Sequence, residues 1–143
     1  MRAVLDTNIV IDLLHFADPQ TQALRRAIDD GSLRCFSDQH CLSELERVST
    51  YPQFGLDAAA QQALVGGYRS LVTVCDGDAL ADYPLPRCRD ADDQKFLILG
   101  VRCRADLLIT RDRRLLKLAH HRRLPVPYAI VTAATAEALI ARR

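Results

Sequence analysis

The sequence predicts an α/β fold in which a parallel sheet lies between layers of helices, and three observations predict it. Short apolar runs rich in β-branched or aromatic residues alternate with stretches of helical period along the whole chain. Each run is only a few residues long, as expected of parallel strands that helices bury on both faces. The 143 residues, 49% hydrophobic and 26% charged, have the ordinary globular balance and suffice for one core but not for two. One domain over residues 1–143 is expected, its five strands joined by right-handed crossovers.

In chain order, the first strand is expected at 3–5, closed by Asp6, with a turn following from Thr7 to Leu14. Asp18 and Pro19 supply an N-cap and a first helical residue for a helix at 19–30, and Gly31 supplies its end. The second strand is expected at 33–37. A helix at 39–50 follows, with Cys41, Leu42, Leu45 and Val48 as its apolar stripe. Asp57 caps a helix at 57–69, and the third strand falls at 71–74. Residues 76–90, with Gly77, Pro84 and Pro86, read as a surface connection. A helix at 92–104, a strand at 107–109, a helix at 113–121, a strand at 128–131 and a helix at 134–142 complete the pattern. No internal repeat or low-complexity tract interrupts it.

Composition excludes several classes of function. No apolar run approaches the ~20 residues that span a bilayer, and Asp6 interrupts the N-terminus before a secretory core could form. A membrane partner is therefore not expected. The five cysteines, Cys35, Cys41, Cys75, Cys88 and Cys103, are odd in number and nowhere at C-x-x-C spacing. They read as small hydrophobes kept as thiols in a reducing cytoplasm. Charge is unevenly spread: residues 1–101 carry 9 basic and 15 acidic side chains, a net −6, whereas 102–143 carry 10 basic and 3 acidic, a net +7. That split suits either a polyanionic partner or a solvated helix face.

The candidate chemistry lies in acids at the ends of elements. Ligands of open parallel sheets bind outside the carboxyl ends of the strands. Asp6 closes the first strand and Asp112 follows the fourth by three residues. Each also has an ordinary local use, Asp6 as an Asx-turn or N-cap and Asp112 as an N-cap. Asp90-Ala91-Asp92-Asp93 opens a helix, where one acid is explained by the helix dipole and three acids are not. Their repulsion calls for cations such as Lys95 or Arg89, or for a divalent metal. Glu44 and Glu46 flank the apolar stripe of their helix about equally, and periodicity does not choose between them.

Four segments, Val4-Leu5-Asp6-Thr7-Asn8, Ser43-Glu44-Leu45-Glu46-Arg47-Val48, Asp90-Ala91-Asp92-Asp93-Gln94-Lys95-Phe96-Leu97 and Leu108-Ile109-Thr110-Arg111-Asp112, together resemble the four acidic motifs of the PIN-domain family. They come in the family's order and span positions 4–112. Within the family the chain most resembles bacterial single-domain proteins assigned as toxins of toxin–antitoxin systems. The resemblance implies a three-layer α/β/α sandwich with a five-stranded parallel sheet and a divalent-metal-dependent ribonuclease. It maps the catalytic and metal-holding acids onto Asp6, Glu44, Asp93 and Asp112, choosing Glu44 over Glu46 and Asp93 over Asp92 by the family's spacing. Asn8 and Thr110 match its accompanying polar residues, with Asp90 and Asp92 beside them. One departure is that relatives often carry a further acid after the fourth, where this chain has Arg113-Arg114-Leu115-Leu116.

Clustered carboxylates without cysteine or histidine at ligand spacing suit a hard cation, Mg²⁺ or Mn²⁺. Such an ion activates water for attack on a phosphodiester, so no protein nucleophile is needed. Arg102, Arg104, Arg111, Arg113, Arg114 and Lys117 lie near the fourth acid in sequence and are candidates to hold the RNA backbone. With four Phe, four Tyr and no Trp, stacking on bases is not expected to be prominent. An RNA substrate is the expected partner, and this class also admits an antitoxin protein and a homodimer. Three rivals are weaker. A dehalogenase-like phosphatase needs a second Asp where Asn8 stands. A metal-independent ribonuclease would use His120, His121 and Lys117, although adjacent histidines diverge on a helix. A PIN-like module that binds RNA or protein without cutting is opposed only by the intact set of four acids.

Overall fold

A computed structural model describes residues 1–75 and 83–143. Within them run β1 (Arg2–Leu5), α1 (Thr7–Leu14), α2 (Gln22–Asp29), β2 (Arg34–Ser37), α3 (Gln39–Ser49), α4 (Ala58–Leu71), β3 (Val72–Val74), α5 (Gln94–Arg102), β4 (Leu107–Ile109), α6 (Arg113–Lys117), β5 (Ala129–Val131) and α7 (Ala133–Ala141). The five strands form one parallel sheet in the order β3-β2-β1-β4-β5. Alternation along the strands feeds two cores. Ala3, Leu5, Cys35, Leu107 and Ile109 pack with α1, α2, α4 and α7, whereas Val4, Phe36 and Leu108 pack with α5 and α6. The α/β architecture with helices on both faces is therefore as expected.

Several boundaries differ, for local reasons. The turn expected after Asp6 is a full helix, α1, whose buried Ile9, Val10, Ile11 and Leu13 form a nearly unbroken apolar run that hides the helical period. Leu71 is the last residue of α4, not the first of β3. Tyr128 precedes β5: its ring packs where a Cβ on Gly100 would come within 2.6 Å, and its hydroxyl donates to the Leu97 carbonyl at 2.8 Å. The helix expected at 92–104 divides into a 3₁₀ turn, Ala91–Asp93, and α5. That expected at 113–121 likewise divides into α6 and a 3₁₀ turn, Leu118–His120. Asp18 caps through Gln20 N–H, Asp57 through Ala60 N–H, and Gly31 turns left-handed at φ 83°. The connection expected at 76–90 lies partly outside the described residues, since 76–82 are not among them.

The strand order fixes where a site can form. From central β1 the chain winds outward to β2 and β3, then returns to lay β4 on the other side of β1. Crossovers leave β1 and β4 in opposite directions, which opens a crevice beyond their carboxyl ends.

Candidate active site

Two acids enter this crevice from adjacent strands. Asp6 follows β1 and occupies the N-cap position of α1, but its carboxylate makes no capping bond. Instead Thr110 Oγ1, fully buried after β4, donates to Asp6 Oδ2 at 2.7 Å. The same Thr110 oxygen accepts the Asp112 N–H at 3.0 Å. Asp112 caps α6 with one oxygen, accepting Arg114 N–H at 2.8 Å. The local capping use thus holds for Asp112 and fails for Asp6, and one threonine ties the positions of both.

Two further acids come from helices. Glu44 on α3 is largely buried, with Oε1 2.6 Å from Lys95 Nζ, Arg47 at 3.8 Å, and Oε2 accepting the Thr7 hydroxyl. Glu46 points outward to Arg69 at 3.5 Å, so the two glutamates that periodicity leaves equivalent are separated by the packing of α3. In the Asp90–Asp93 cluster, Asp90 accepts Asp92 N–H at 2.9 Å and starts the 3₁₀ turn. Asp92 is exposed and 3.9 Å from Arg47, and Arg89 is exposed. Asp93 is the member that lines the cleft.

Asp6, Glu44, Asp93 and Asp112 line one cleft of about 210 Å³, with Thr7 and Asn8 also on its wall. Burial, joined by the charges of Asp6, Asp90, Asp112 and Glu44, pushes the Asp93 carboxyl up to about 6. Asp6 is raised chiefly by burial, opposed by the Thr110 bond and reinforced by Glu44 and Asp112. The acids therefore sense one another as an excess of negative charge. Among the described residues, no three His, Cys, Asp or Glu side chains are grouped closely enough to form a ready-made metal site. Glu44 is drawn aside onto Lys95 and Thr7. Mg²⁺ keeps several waters and needs only one or two carboxylates, so an all-oxygen cleft of this charge fits it without a closed cage.

The basic residues expected to hold RNA separate into two groups. Arg113, Arg114 and Lys117 are exposed on α6, beside Asp112. Arg111 is paired to Asp12 on α1 at 3.0 Å. Arg102 is turned inward, three-quarters buried and 3.9 Å from Asp38, which removes it from the nucleic-acid surface expected of it. Arg104 donates its N–H to the Val101 carbonyl just before β4, whose first residue pairs with Ala3 near the start of β1, about 13 Å of strand away from Asp6. It too is misplaced for that role, because nearness to Asp112 in sequence crosses the length of β4. His121 accepts Leu124 N–H through Nδ1, and neither His120 nor His121 lines the cleft. Sequence reasoning missed Thr7, whose signal was its place one residue after a strand-ending acid, and the cleft residues Tyr51, Gln53 and Phe54, which carried no sequence signal.

The family model for the PIN domain matches residues 2–114, from β1 into α6, an extent that contains all four acids. No curated protein and no solved structure matches the chain.

Proposed function

Since the chain belongs to the PIN-domain family, we propose that it is a ribonuclease that uses Mg²⁺ or Mn²⁺ and water to hydrolyse RNA phosphodiester bonds. Members of the family are generally nucleases that need divalent metal ions. The observation that carries the proposal is the meeting of Asp6, Glu44, Asp93 and Asp112 in one cleft at the point where the chain reverses its direction across the sheet.

Asp6 and Asp112 are the residues to hold the cation directly, Asp93 to hold it directly or through its waters, and Glu44 to hold it or to position the attacking water. When bound, the ion lowers the pKa of a water and neutralises charge developing on the phosphate oxygens. Thr110 fixes the Asp6 carboxylate and the backbone of Asp112 by its two hydrogen bonds. Lys95 and Thr7 keep Glu44 oriented. Arg113, Arg114 and Lys117 receive flanking phosphates. Hydrolysis of this kind leaves a 5′-phosphate and a 3′-hydroxyl.

Incubation of the purified chain with mixed RNA tests this reading. Cleavage that requires Mg²⁺ or Mn²⁺, stops in EDTA and leaves 5′-phosphate ends is expected; cleavage that continues in EDTA with cyclic phosphate ends contradicts it. One observation favours a second reading, a PIN-like module that binds RNA or protein without cutting: Lys95 already neutralises Glu44 in place of a metal. That reading predicts RNA binding with no cleavage at any metal concentration. The resemblance to single-domain toxins supports a cytoplasmic toxin restrained by an antitoxin. Growth arrest on expression, relieved by a small neighbouring gene product, tests it.

A further inference from the structure

Lys95 stands where helix chemistry alone would not put it. It is the second residue of α5, and the first turn of a helix carries unsatisfied N–H groups and the positive end of the dipole, which favour an acid over a lysine. Its ammonium is nonetheless brought inward. The Lys95 side chain is 19% exposed, and its Nζ lies 2.6 Å from Oε1 of Glu44, a carboxylate that is itself only 10% exposed. Arg47 lies 3.8 Å from the same oxygen, and the Thr7 hydroxyl donates to the other. Both oxygens of Glu44 are thus engaged by groups of the protein. On the strand side each acid has one oxygen committed to a protein donor, Asp6 Oδ2 to the Thr110 hydroxyl and Asp112 Oδ1 to Arg114 N–H. Arg113 and Arg114 follow Asp112, so no further acid extends that side.

We propose that the Lys95 ammonium fills the place on Glu44 that a second divalent cation would take, so that the cleft holds a single Mg²⁺ or Mn²⁺, at Asp6, Asp93 and Asp112. The proposal rests on the ribonuclease reading and makes Lys95 a positioning residue that acts through Glu44. Glu44 then orients water and does not ligate the ion. Repulsion supports a single ion. Any divalent cation bonded to Glu44 Oε1 would have the ammonium, 2.6 Å from that oxygen, as a near neighbour, and like charges repel strongly in a cleft partly shut off from water. The balance of charge agrees: four carboxylates against Lys95 and one divalent ion leave one negative charge in excess, whereas a second divalent ion would leave the cleft positive. The ammonium is also part of the fold and not a mobile counter-ion, because the buried Phe96 and Leu97 next to it fix α5 on the sheet.

Mn²⁺ titrated into the full chain near neutral pH, with bound ions counted by electron paramagnetic resonance, reads the site without any cleavage. The parent is expected to bind one Mn²⁺ per chain. Lys95→Met, which keeps the length of the side chain and removes its charge, is expected to bind two, with the spectrum of the bound ions broadened by coupling between neighbours. Lys95→Arg keeps a cation and should bind one. Lys95→Met combined with Glu44→Gln should return to one, because the second ion loses its ligand, and Glu44→Gln alone should keep one. Two ions in the parent, only one in a folded Lys95→Met, or loss of the single ion in Glu44→Gln would overturn the proposal. The counts for the parent and for Glu44→Gln still decide it if Lys95→Met melts early. If the counts are as expected but no metal supports cleavage of RNA, the ribonuclease reading fails and the one-ion cleft stands. If a parent that binds two ions cuts RNA, the one-ion cleft fails and the ribonuclease reading stands.

Discussion

The strand side of the cleft and its helix side hold their acids by different means. On the strand side, Asp6 and Asp112 are set by hydrogen bonds from Thr110 and from backbone N–H groups, with no cation involved. On the helix side, Glu44 is held by an internal cation, Lys95, while Asp93 is raised by burial and by the charges of the other acids. The strand side is thus pre-shaped by uncharged groups that add no charge for a metal to displace. The helix side is a balance of charges that an incoming cation would rearrange. The difference separates residues that define the site's geometry from residues that define its charge.

The sharpest break of this comparison comes from removing one acid from each side. Asp6→Asn and Asp93→Asn are each expected to cost at least about a hundred-fold in cleavage, the scale of losing one electrostatic group at a reacting centre. Both variants should stay folded, because each deletes charge and not core volume. Glu44→Gln should cost far more than Glu46→Gln, whose side chain reaches Arg69 outside the cleft; steady-state rates on one RNA substrate check the order.

A second pair contrasts the two supports. Thr110→Val removes the donor to buried Asp6 and the acceptor of Asp112 N–H, and should destabilise the chain by about 1–3 kcal/mol. The accompanying loss of activity should not be recovered by more metal. Lys95→Gln removes the competing cation on Glu44 and leaves the cleft more negative, so it should lower the Mg²⁺ concentration needed for cleavage while costing about ten-fold or less in maximal rate through the lost orientation of Glu44. Thermal unfolding and metal titrations of cleavage distinguish the two.

The smallest effect is on pH. Asp93 titrates near 6 in the folded chain, above the usual carboxylate value of 3.8, so between these values the folded state binds more protons than the unfolded. Its contribution to metal-free stability is therefore greatest at low pH and is lost as pH rises from about 4 through 6. Asp93→Asn should flatten that part of the melting-temperature profile. Cleavage should follow the opposite course, falling as pH drops and protons compete with the cation for the carboxylate.

Much of the strand side was legible in the sequence, because an acid that ends a buried apolar run has few places to go in a parallel sheet. Asp6 and Asp112 follow such runs, and the alternation of elements places those runs side by side. The helix side was harder. Neither glutamate of α3 is distinguished by its angle to the apolar stripe, and only the packing of Lys95 and Thr7 around Glu44 marks it out. Helix α1 was hidden by its own hydrophobicity, since burial on several sides removes the polar face that reveals a period. The basic C-terminal segment was legible as charge but not as position: Arg102 turns in to Asp38, and Arg104 lies at the far end of β4. Only the meeting of the ends of α1 and α3 puts Phe16 beside Phe54.

Binding of Mn²⁺, followed by loss of the free-ion electron paramagnetic resonance signal, tests the central claim most directly, because it needs neither a substrate nor a cleavage sequence. The parent chain should bind Mn²⁺ and release it to excess Mg²⁺. Asp6→Asn and Asp93→Asn should lose that binding, while Asp92→Asn, altered at the exposed acid next to Asp93, should keep it. A folded parent that leaves the signal unchanged, or an Asp93→Asn variant that binds as tightly as the parent, would contradict the claim that these four acids make a cation site.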